Sequence, residues 1–398
     1  MELNAQIIAE LRSLVERIAQ GQPTPAKKFL FEMLFGLVAS GSVLLTEVGR
    51  KLPPTGTLHA VEKRLSRHLG SRRWDEAALL ERYVAWVAPQ IKPDTVLALD
   101  TSDIRKAYAE KMACLGQVHD GSTGEIATGY WLLSVEAHQA AGRRQGVYLS
   151  AWSAQAEEFE SENREILKAV ELVERHARHR ALWVIDSGGD RSRLHRAFKQ
   201  LGVRYLVRVK RERVVCWHGA RQKIMAVAGA ALWCGSFRFA HRTRRGRWRR
   251  ARVRYGFERV TWQEEAYSLV VAEGVTDERL VLWTNEVVTQ AEEAESIVRA
   301  YLRRWAVEDA NRVLKQEFSL ERIRVMDWRR VRRLVLLAGI AYGFVGLVSR
   351  KGKRMVQKLV ELARRLRPPK KVIAYAIRKG IAAVWAAGLL KRPSFGFG

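Results

Sequence analysis

The 398-residue sequence carries 70 Lys and Arg against 42 Asp and Glu, a net charge of +28 at pH 7. A surplus of that size points to a polyanionic partner held through phosphate neutralisation, and nucleic acid fits better than a membrane surface. The 47% hydrophobic content and 13 Trp exclude wholesale disorder, and the length gives room for two or three domains.

In chain order, residues 1–90 predict a helical domain. The opening "MELNAQIIAELRSLVERIAQ" is a charged amphipathic helix rather than a secretion signal. Helical runs follow in "PAKKFLFEMLFGLVAS" and "SVLLTEVGRKL", then "LPPTG" breaks the chain before a Thr-capped basic helix, "TLHAVEKRLSRHLGSRRW". Helix, short turn and basic helix outline a DNA-binding helix-turn-helix; a plain helical bundle shares the pattern. From about residue 91 the texture becomes α/β. "TVLALD" is an apolar strand ending at Asp100; "GEIATGYWLLSVEAHQ" and "QGVYLSAWSA" form a hairpin; a long helix precedes the strand "ALWVID", which ends at Asp186; "SRLHRAFKQLG" and "VRYLVRVK" add a helix and a strand. This order predicts a mixed sheet flanked by helices, the first part of a core over 91–210.

Residues 211–288 read as a β-rich basic insertion. Between Arg238 and Arg254 stand nine Arg and no acid, with Phe239 and Trp248 interleaved. Strand patterning on both sides predicts a hairpin whose Arg244, Arg245 and Arg247 grip phosphates and whose Trp248 stacks on a base. Residues 289–320 return to the core as one helix, with Thr289 and Glu292 fitting a capping box. Residues 321–398 are helical and basic. The apolar run Leu334 to Val348 is 15 residues long with three Gly, short of the roughly 20 a membrane span needs, so it predicts a buried helix. Cys114, Cys216 and Cys234 form neither a metal-type pair nor a disulfide framework, which suits a reducing cytoplasm.

The chemistry sits in three acids. Asp100 and Asp186 each follow an apolar strand, and parallel neighbours ending this way place both carboxylates at one sheet edge, where α/β sites form. In "YLRRWAVEDANRVLK", Tyr301, Arg304, Glu308 and Lys315 share one helical face, opposite Leu302, Val307, Ala310, Val313 and Leu314. Glu308 adds a third hard oxygen donor. An oxygen-rich set with few His suits Mg²⁺, with Mn²⁺ as substitute; two such ions activate the attacking oxygen and stabilise the leaving one in phosphodiester displacement. Asp103 and Asp190 shadow the two Asp residues; direct succession to the strand favours Asp100 and Asp186. Asp309 lies off the motif face, and His119 and His138 lack partners at ligand spacing.

The pattern Tyr-(2)-Arg-(3)-Glu-(6)-Lys, with two strand-end Asp residues 86 residues apart and the Glu 122 further on, resembles the insertion-sequence-4 group of bacterial DDE transposases. The resemblance covers roughly residues 95–320 and implies a ribonuclease H-like fold with a β-rich insertion. It implies Asp100, Asp186 and Glu308 as a metal triad, and Tyr301, Arg304 and Lys315 as phosphate holders. It also implies Trp305 as an aromatic near the terminal base, double-stranded DNA ends and target as partners, and a dimer in the synaptic complex. Two other readings stay open: a ribonuclease H-like nuclease without strand transfer, and a DNA-binding descendant without catalysis.

Overall fold

The computed structural model describes residues 2–119, 124–140, 142–242, 248–276, 278–366 and 373–389. Five helices come first: α1 (Glu2–Ile18), α2 (Thr24–Ser40), α3 (Leu45–Gly49), α4 (Leu58–Gly70) and α5 (Glu76–Val87). Local signals set their limits. Pro23 stands before α2 and Gly41, at φ 65°, ends it in the left-handed conformation that only glycine adopts without cost. The Thr57 hydroxyl accepts from the Ala60 N–H to start α4, as its sequence position predicts. Val61, Leu65 and Leu69 of α4 are buried while His59, Lys63 and Arg67 face solvent, so its outer face is basic.

The sheet is built from β1 (Val96–Arg105), β2 (Gly116–His119), β3 (Ile126–His138), β4 (Arg144–Trp152), then α6 (Glu162–Ala177), β5 (Leu182–Ile185), α7 (Ser192–Gln200) and β6 (Tyr205–Arg208). Strand β3 runs antiparallel to both β1 and β4, whereas β1, β5 and β6 are parallel. The order β4-β3-β1-β5-β6, with helices on both faces, is the mixed sheet flanked by helices expected. Three features depart from the sequence reading. Strand β1 does not end at Asp100 but continues to Arg105, because β3 keeps pairing with it over its whole length. Strand β2, in a segment with no strand signal of its own, adds to the outer end of β3. The third concerns the insertion.

The insertion comprises β7 (Val214–Trp217), β8 (Ala220–Lys223), α8 (Ile224–Ala230), β9 (Trp233–Arg242), β10 (Trp248–Trp262), β11 (Glu265–Glu273) and β12 (Leu280–Thr284). Its last strand, β12, pairs with β6, so all twelve strands form one sheet. Every residue of β12 is buried; an apolar strand of this kind is satisfied only with neighbours on both sides. The β9–β10 hairpin predicted from the Arg-rich stretch is present, with Arg242 opposite Trp248.

Among the described residues four more helices follow: α9 (Ala291–Glu317), α10 (Trp328–Val348), α11 (Lys353–Leu366) and α12 (Ile373–Leu389). Helices α9 and α10 cover the sheet face that bears Ser134 and Glu136. Helix α6 covers the other face, where the Trp183 indole donates to Glu174 at 2.6 Å. Helix α10 is long and apolar enough to cross a membrane, but 83% of that stretch is buried inside the protein; the buried helix expected from its glycines is what forms. Gly339 and Gly146 permit the close approach of α10 to β4, since an added Cβ would meet Leu149 or Tyr342 at 2.6–2.8 Å. N- and C-terminal helices share one hydrophobic core, in which Phe35 of α2 stacks on Trp385 of α12 at 4.4 Å.

Arg333 of α10 ties this core to the α4–α5 junction. It is 4% exposed. Its guanidinium donates to the carbonyls of Leu69 (2.9 Å), Ser71 (2.5 Å) and Trp74 (3.0 Å) and to the Glu76 carboxylate (2.7 Å), and lies 3.9 Å over the Trp74 ring. Replacing Arg333 with Met strands three buried carbonyls. Urea denaturation should show a loss of about 3 kcal/mol, against less than about 1 kcal/mol for the exposed Arg67→Met.

Candidate active site

Strands β1 and β5 pair in parallel over four residues, ending at Leu99 beside Ile185. The next residue on each is an acid. Asp100 and Asp186 therefore sit side by side where β5 stops, and the end of β5 opens that flank of β1 to the space above the sheet. Asp186 turns into a short 3-10 segment, Ser187–Gly189, and its Oδ1 accepts from the Ser187 N–H at 2.8 Å. Gly189 lies where a Cβ would strike Ile185 at 2.4 Å, so the tight turn after the strand requires glycine.

Helix α9 brings the third acid. Its capping box lies one residue later than expected: Gln290 and Glu293 form it, and the N–H and hydroxyl of Thr289 also donate to Glu293, at 2.7 and 3.1 Å. Leu302, Val307, Ala310, Val313 and Leu314 are buried as their periodicity predicts, but so are Tyr301 and Arg304, at 1% and 4% exposure. The helix thus buries two sides, with the polar motif pressed against the acids. The Tyr301 hydroxyl donates to Asp186 Oδ1 at 3.0 Å. Arg304 Nη2 lies 3.6 Å from Asp186 Oδ2 and 3.4 Å from Glu308 Oε1. The Glu308 side chain is 56% exposed, and Arg304 leans from beneath it toward Asp186. Lys315 pairs with Asp103 at 2.8 Å, two turns further along.

One participant escaped the sequence reading. Asn311 Nδ2 donates to Asp100 Oδ2 at 2.7 Å, and Ser134 Oγ, opposite Asp100 on β3, donates to Asn311 Oδ1 at 3.0 Å. Asn311, buried in the structure, stands three residues after Glu308, and an amide side chain one helical turn from the Glu was the available signal.

The two aspartates differ electrically. Burial drives the Asp100 carboxyl up to about 7; Glu308 and Asp186 push the same way, against Arg304 and Asn311. Burial also acts on Asp186, yet Arg304, the Ser187 N–H and the Tyr301 hydroxyl outweigh it and hold that carboxyl below the ordinary aspartate value. Arg304 loses solvation but stays firmly charged among Tyr301, Asp186, Asp100 and Glu308.

The neighbouring acids have other partners. Asp190, 5% exposed, is bound by His195 (2.8 Å), the Lys210 N–H (2.7 Å) and Arg213. Asp103 is bound by Lys315, and Asp309 pairs with Arg144 (3.4 Å) and Arg312 (3.1 Å). His138 pairs with buried Glu136 at 2.8 Å, and His119 lies exposed on β2. Trp305 is half-buried and meets Phe239 of β9 edge-on, ring centres 6.2 Å apart, so helix and basic hairpin touch beside the acids. Arg244, Arg245 and Arg247 lie outside the described residues, and Trp248 begins β10.

Among the described residues, no group of three His, Cys, Asp or Glu side chains is drawn together as a finished metal cage. The donor set nonetheless suits a hard cation. It consists of three carboxylates from β1, the end of β5 and α9, and the Arg304 guanidinium already occupies the position of a positive charge between two of them.

Residues 160–344 match the family model described as the transposase DDE domain, just under half of the chain. That span includes Asp186, Glu308 and all of α9 and leaves out Asp100. A similar solved structure is the cryo-EM structure of a piggyBac transposase synaptic complex with hairpin DNA, at a TM-score of 0.45 and 11% identity, covering 98% of this chain and 80% of that one. No curated protein matches the sequence.

Burial of Asp100 makes a stability prediction. The folded carboxyl keeps its proton up to about pH 7, whereas the unfolded one releases it near 3.8. The folded state therefore binds more protons across that window and loses stability as pH rises through it. In metal-free buffer, Asp100→Asn should melt a few degrees higher than the parent at pH 8 and at nearly the same temperature at pH 4. Equal differences at both pH values in differential scanning calorimetry would refute the assignment.

Proposed function

We propose that the protein is a DNA transposase that cuts the ends of its element and joins the resulting 3′-hydroxyls to target DNA. The observation that carries this reading is the placement of Asp100 on β1 beside Asp186, just past the end of the adjacent parallel strand β5, under a helix that presents Glu308 with Tyr301 and Arg304. The match of residues 160–344 to the transposase DDE domain supports it from an independent direction, and the net charge of +28 supports double-stranded DNA as partner.

Asp100, Asp186 and Glu308 would hold Mg²⁺, or Mn²⁺ in its place, and a pair of such ions would supply Lewis-acid assistance to attacking and leaving oxygens. The chain's own residues prepare the ground. Tyr301 fixes the rotamer of Asp186, and Asn311, itself held by Ser134, fixes Asp100, so both carboxylates are oriented before substrate arrives. Arg304 neutralises the acids in the protein alone. With those carboxylates committed to a cation, the Arg304 guanidinium would be free to donate to a phosphate oxygen, a bidentate partner of matching geometry. Lys315 and Trp305 would extend the grip to the flanking strand and a terminal base, and the basic β9–β10 hairpin would hold backbone phosphates. Joining two ends calls for two copies in the working complex. The proposed organisation follows: DNA-binding helices over 1–90, a core from 91–210 and 289–320 interrupted by the 211–288 insertion, and a helical C-terminal region.

The test is excision in vitro from a supercoiled plasmid carrying the DNA that flanks this gene. With Mg²⁺, released linear fragment and target-joined product are expected. Glu308→Gln and Asp100→Ala should lower both by more than the ~10–100-fold seen when a group that only supports a ligand is removed, with DNA binding kept. Nicking without joining would favour the nuclease instead. Asn311→Ala, a supporting residue, should fall within that ~10–100-fold range and leave the melting temperature within a few degrees; activity equal to the parent would remove Asn311 from the site.

A further inference from the structure

Three arginines are buried among the described residues: Arg304, Arg333 and Arg378. Two of them are firmly anchored. Arg333 holds three carbonyls and Glu76, and Arg378 donates to the Val38 carbonyl at 3.1 Å and to Glu317 at 2.7 Å. Arg304 is held differently. Its Nη2 lies 3.4 Å from Glu308 and 3.6 Å from Asp186, and its buried Nε has no hydrogen-bond partner among the described residues. Charge-assisted pairs ordinarily close to about 2.7–2.9 Å. Arg304 therefore lends the acids its charge more than its hydrogen bonds. The acids are open on the side away from it, their side chains 40% exposed at Asp186 and 56% at Glu308. Asp186 spends Oδ1 on the Ser187 N–H and the Tyr301 hydroxyl, so Oδ2 is the oxygen that faces Arg304. A cation reaching these carboxylates from solvent meets oxygens already neighboured by a fixed positive charge.

We propose that Arg304 is a resident counter-ion that competes with the divalent cation and keeps the site short of metal until a DNA phosphate enters. This role rests on the transposase reading of Asp100, Asp186 and Glu308 as metal ligands, and the test separates the two. Three carboxylates less one guanidinium leave two negative charges, enough for one divalent ion and short of two. At an effective dielectric of about 20, a positive charge roughly 5 Å from a divalent ion weakens its binding by well over tenfold even after screening. A phosphodiester brings further negative charge together with the substrate. Metal and DNA then raise each other's affinity by one common factor. The chain without DNA carries little metal, which ties cutting to an engaged duplex and restrains it elsewhere. An arginine that only gripped phosphate would leave the affinity for metal alone unchanged.

The experiment is Mn²⁺ binding by the full chain without DNA, with the free ion counted by electron paramagnetic resonance. The parent is compared with Arg304→Gln and Arg304→Lys, each checked by thermal melting. Arg304→Gln should bind Mn²⁺ at least about tenfold more tightly than the parent, and Arg304→Lys, which keeps the charge, should stay within about threefold of it. Adding Asp100→Ala to Arg304→Gln should abolish the gain, which places the counted ions at the three acids. A second arm adds a duplex made from the DNA that flanks this gene. Mn²⁺ affinity should then rise about tenfold or more in the parent and by less in Arg304→Gln. Equal affinities of folded parent and Arg304→Gln without DNA would overturn the proposal, as would a gain that survives Asp100→Ala. Should Arg304→Gln not fold, the parent decides: Mn²⁺ affinity unmoved by the duplex overturns the proposal, and the expected rise supports it. Mn²⁺ bound by none of the proteins removes the metal ligands and the counter-ion together. Excision that fails while the Arg304→Gln gain appears leaves the counter-ion standing and removes the transposase reading. Excision that succeeds without that gain removes the counter-ion alone.

Discussion

A guanidinium as deeply buried as that of Arg304 cannot be tolerated in an apolar interior without compensating charge. The compensation comes from Asp186 and Glu308, and from Asp100 at longer range. These acids in turn could not be crowded at the head of two adjacent strands without Arg304. Each side of this arrangement makes the other possible. The crossing of α9 over β1 and β5 is therefore fixed by electrostatics as well as by the apolar residues along the helix. The residual imbalance falls on Asp100, whose carboxyl is pushed towards neutrality while Asp186 is held ionised.

Helix α9 is gripped from two directions. Its first half packs Ala294, Ile297, Val298, Tyr301 and Leu302 into a core made by the insertion strands β9 to β12 together with β1, β5 and β6, and its second half packs Ala310, Val313 and Leu314 into the larger core that includes the terminal helices. The insertion is thus more than an appendage carrying basic residues. Its strands continue the central sheet and supply one wall of the seat on which the motif helix rests.

Much of this was legible in the sequence, for identifiable reasons. Apolar runs bounded by turn residues gave the strands, the 3.6-residue period gave the helices, and the fixed spacing of Tyr301, Arg304, Glu308 and Lys315 singled out α9. What was illegible depended on partners distant in sequence. The continuation of β1 past Asp100 is decided by β3, not by the residues of β1 themselves. The burial of Tyr301 and Arg304 is decided by Asp186. The role of Asn311 needs Ser134, 177 residues away, to make sense. Direct succession to the strand favours Asp186 over Asp190 in one dimension, but that Asp190 is occupied shows only with the arrival of His195, Lys210 and Arg213.

The shared core of the terminal helices bears on how such a chain is made. Phe35 of α2 waits for Trp385 of α12, and Arg333 of α10 for the carbonyls between α4 and α5. A growing polypeptide on the ribosome can pair its early strands but cannot finish its first helical layer until α10 and α12 emerge. Glu308 arrives late as well. A chain stopped before α9 therefore has neither a closed helical layer nor its third acid, and one stopped between α9 and α12 holds all three acids on an unfinished core.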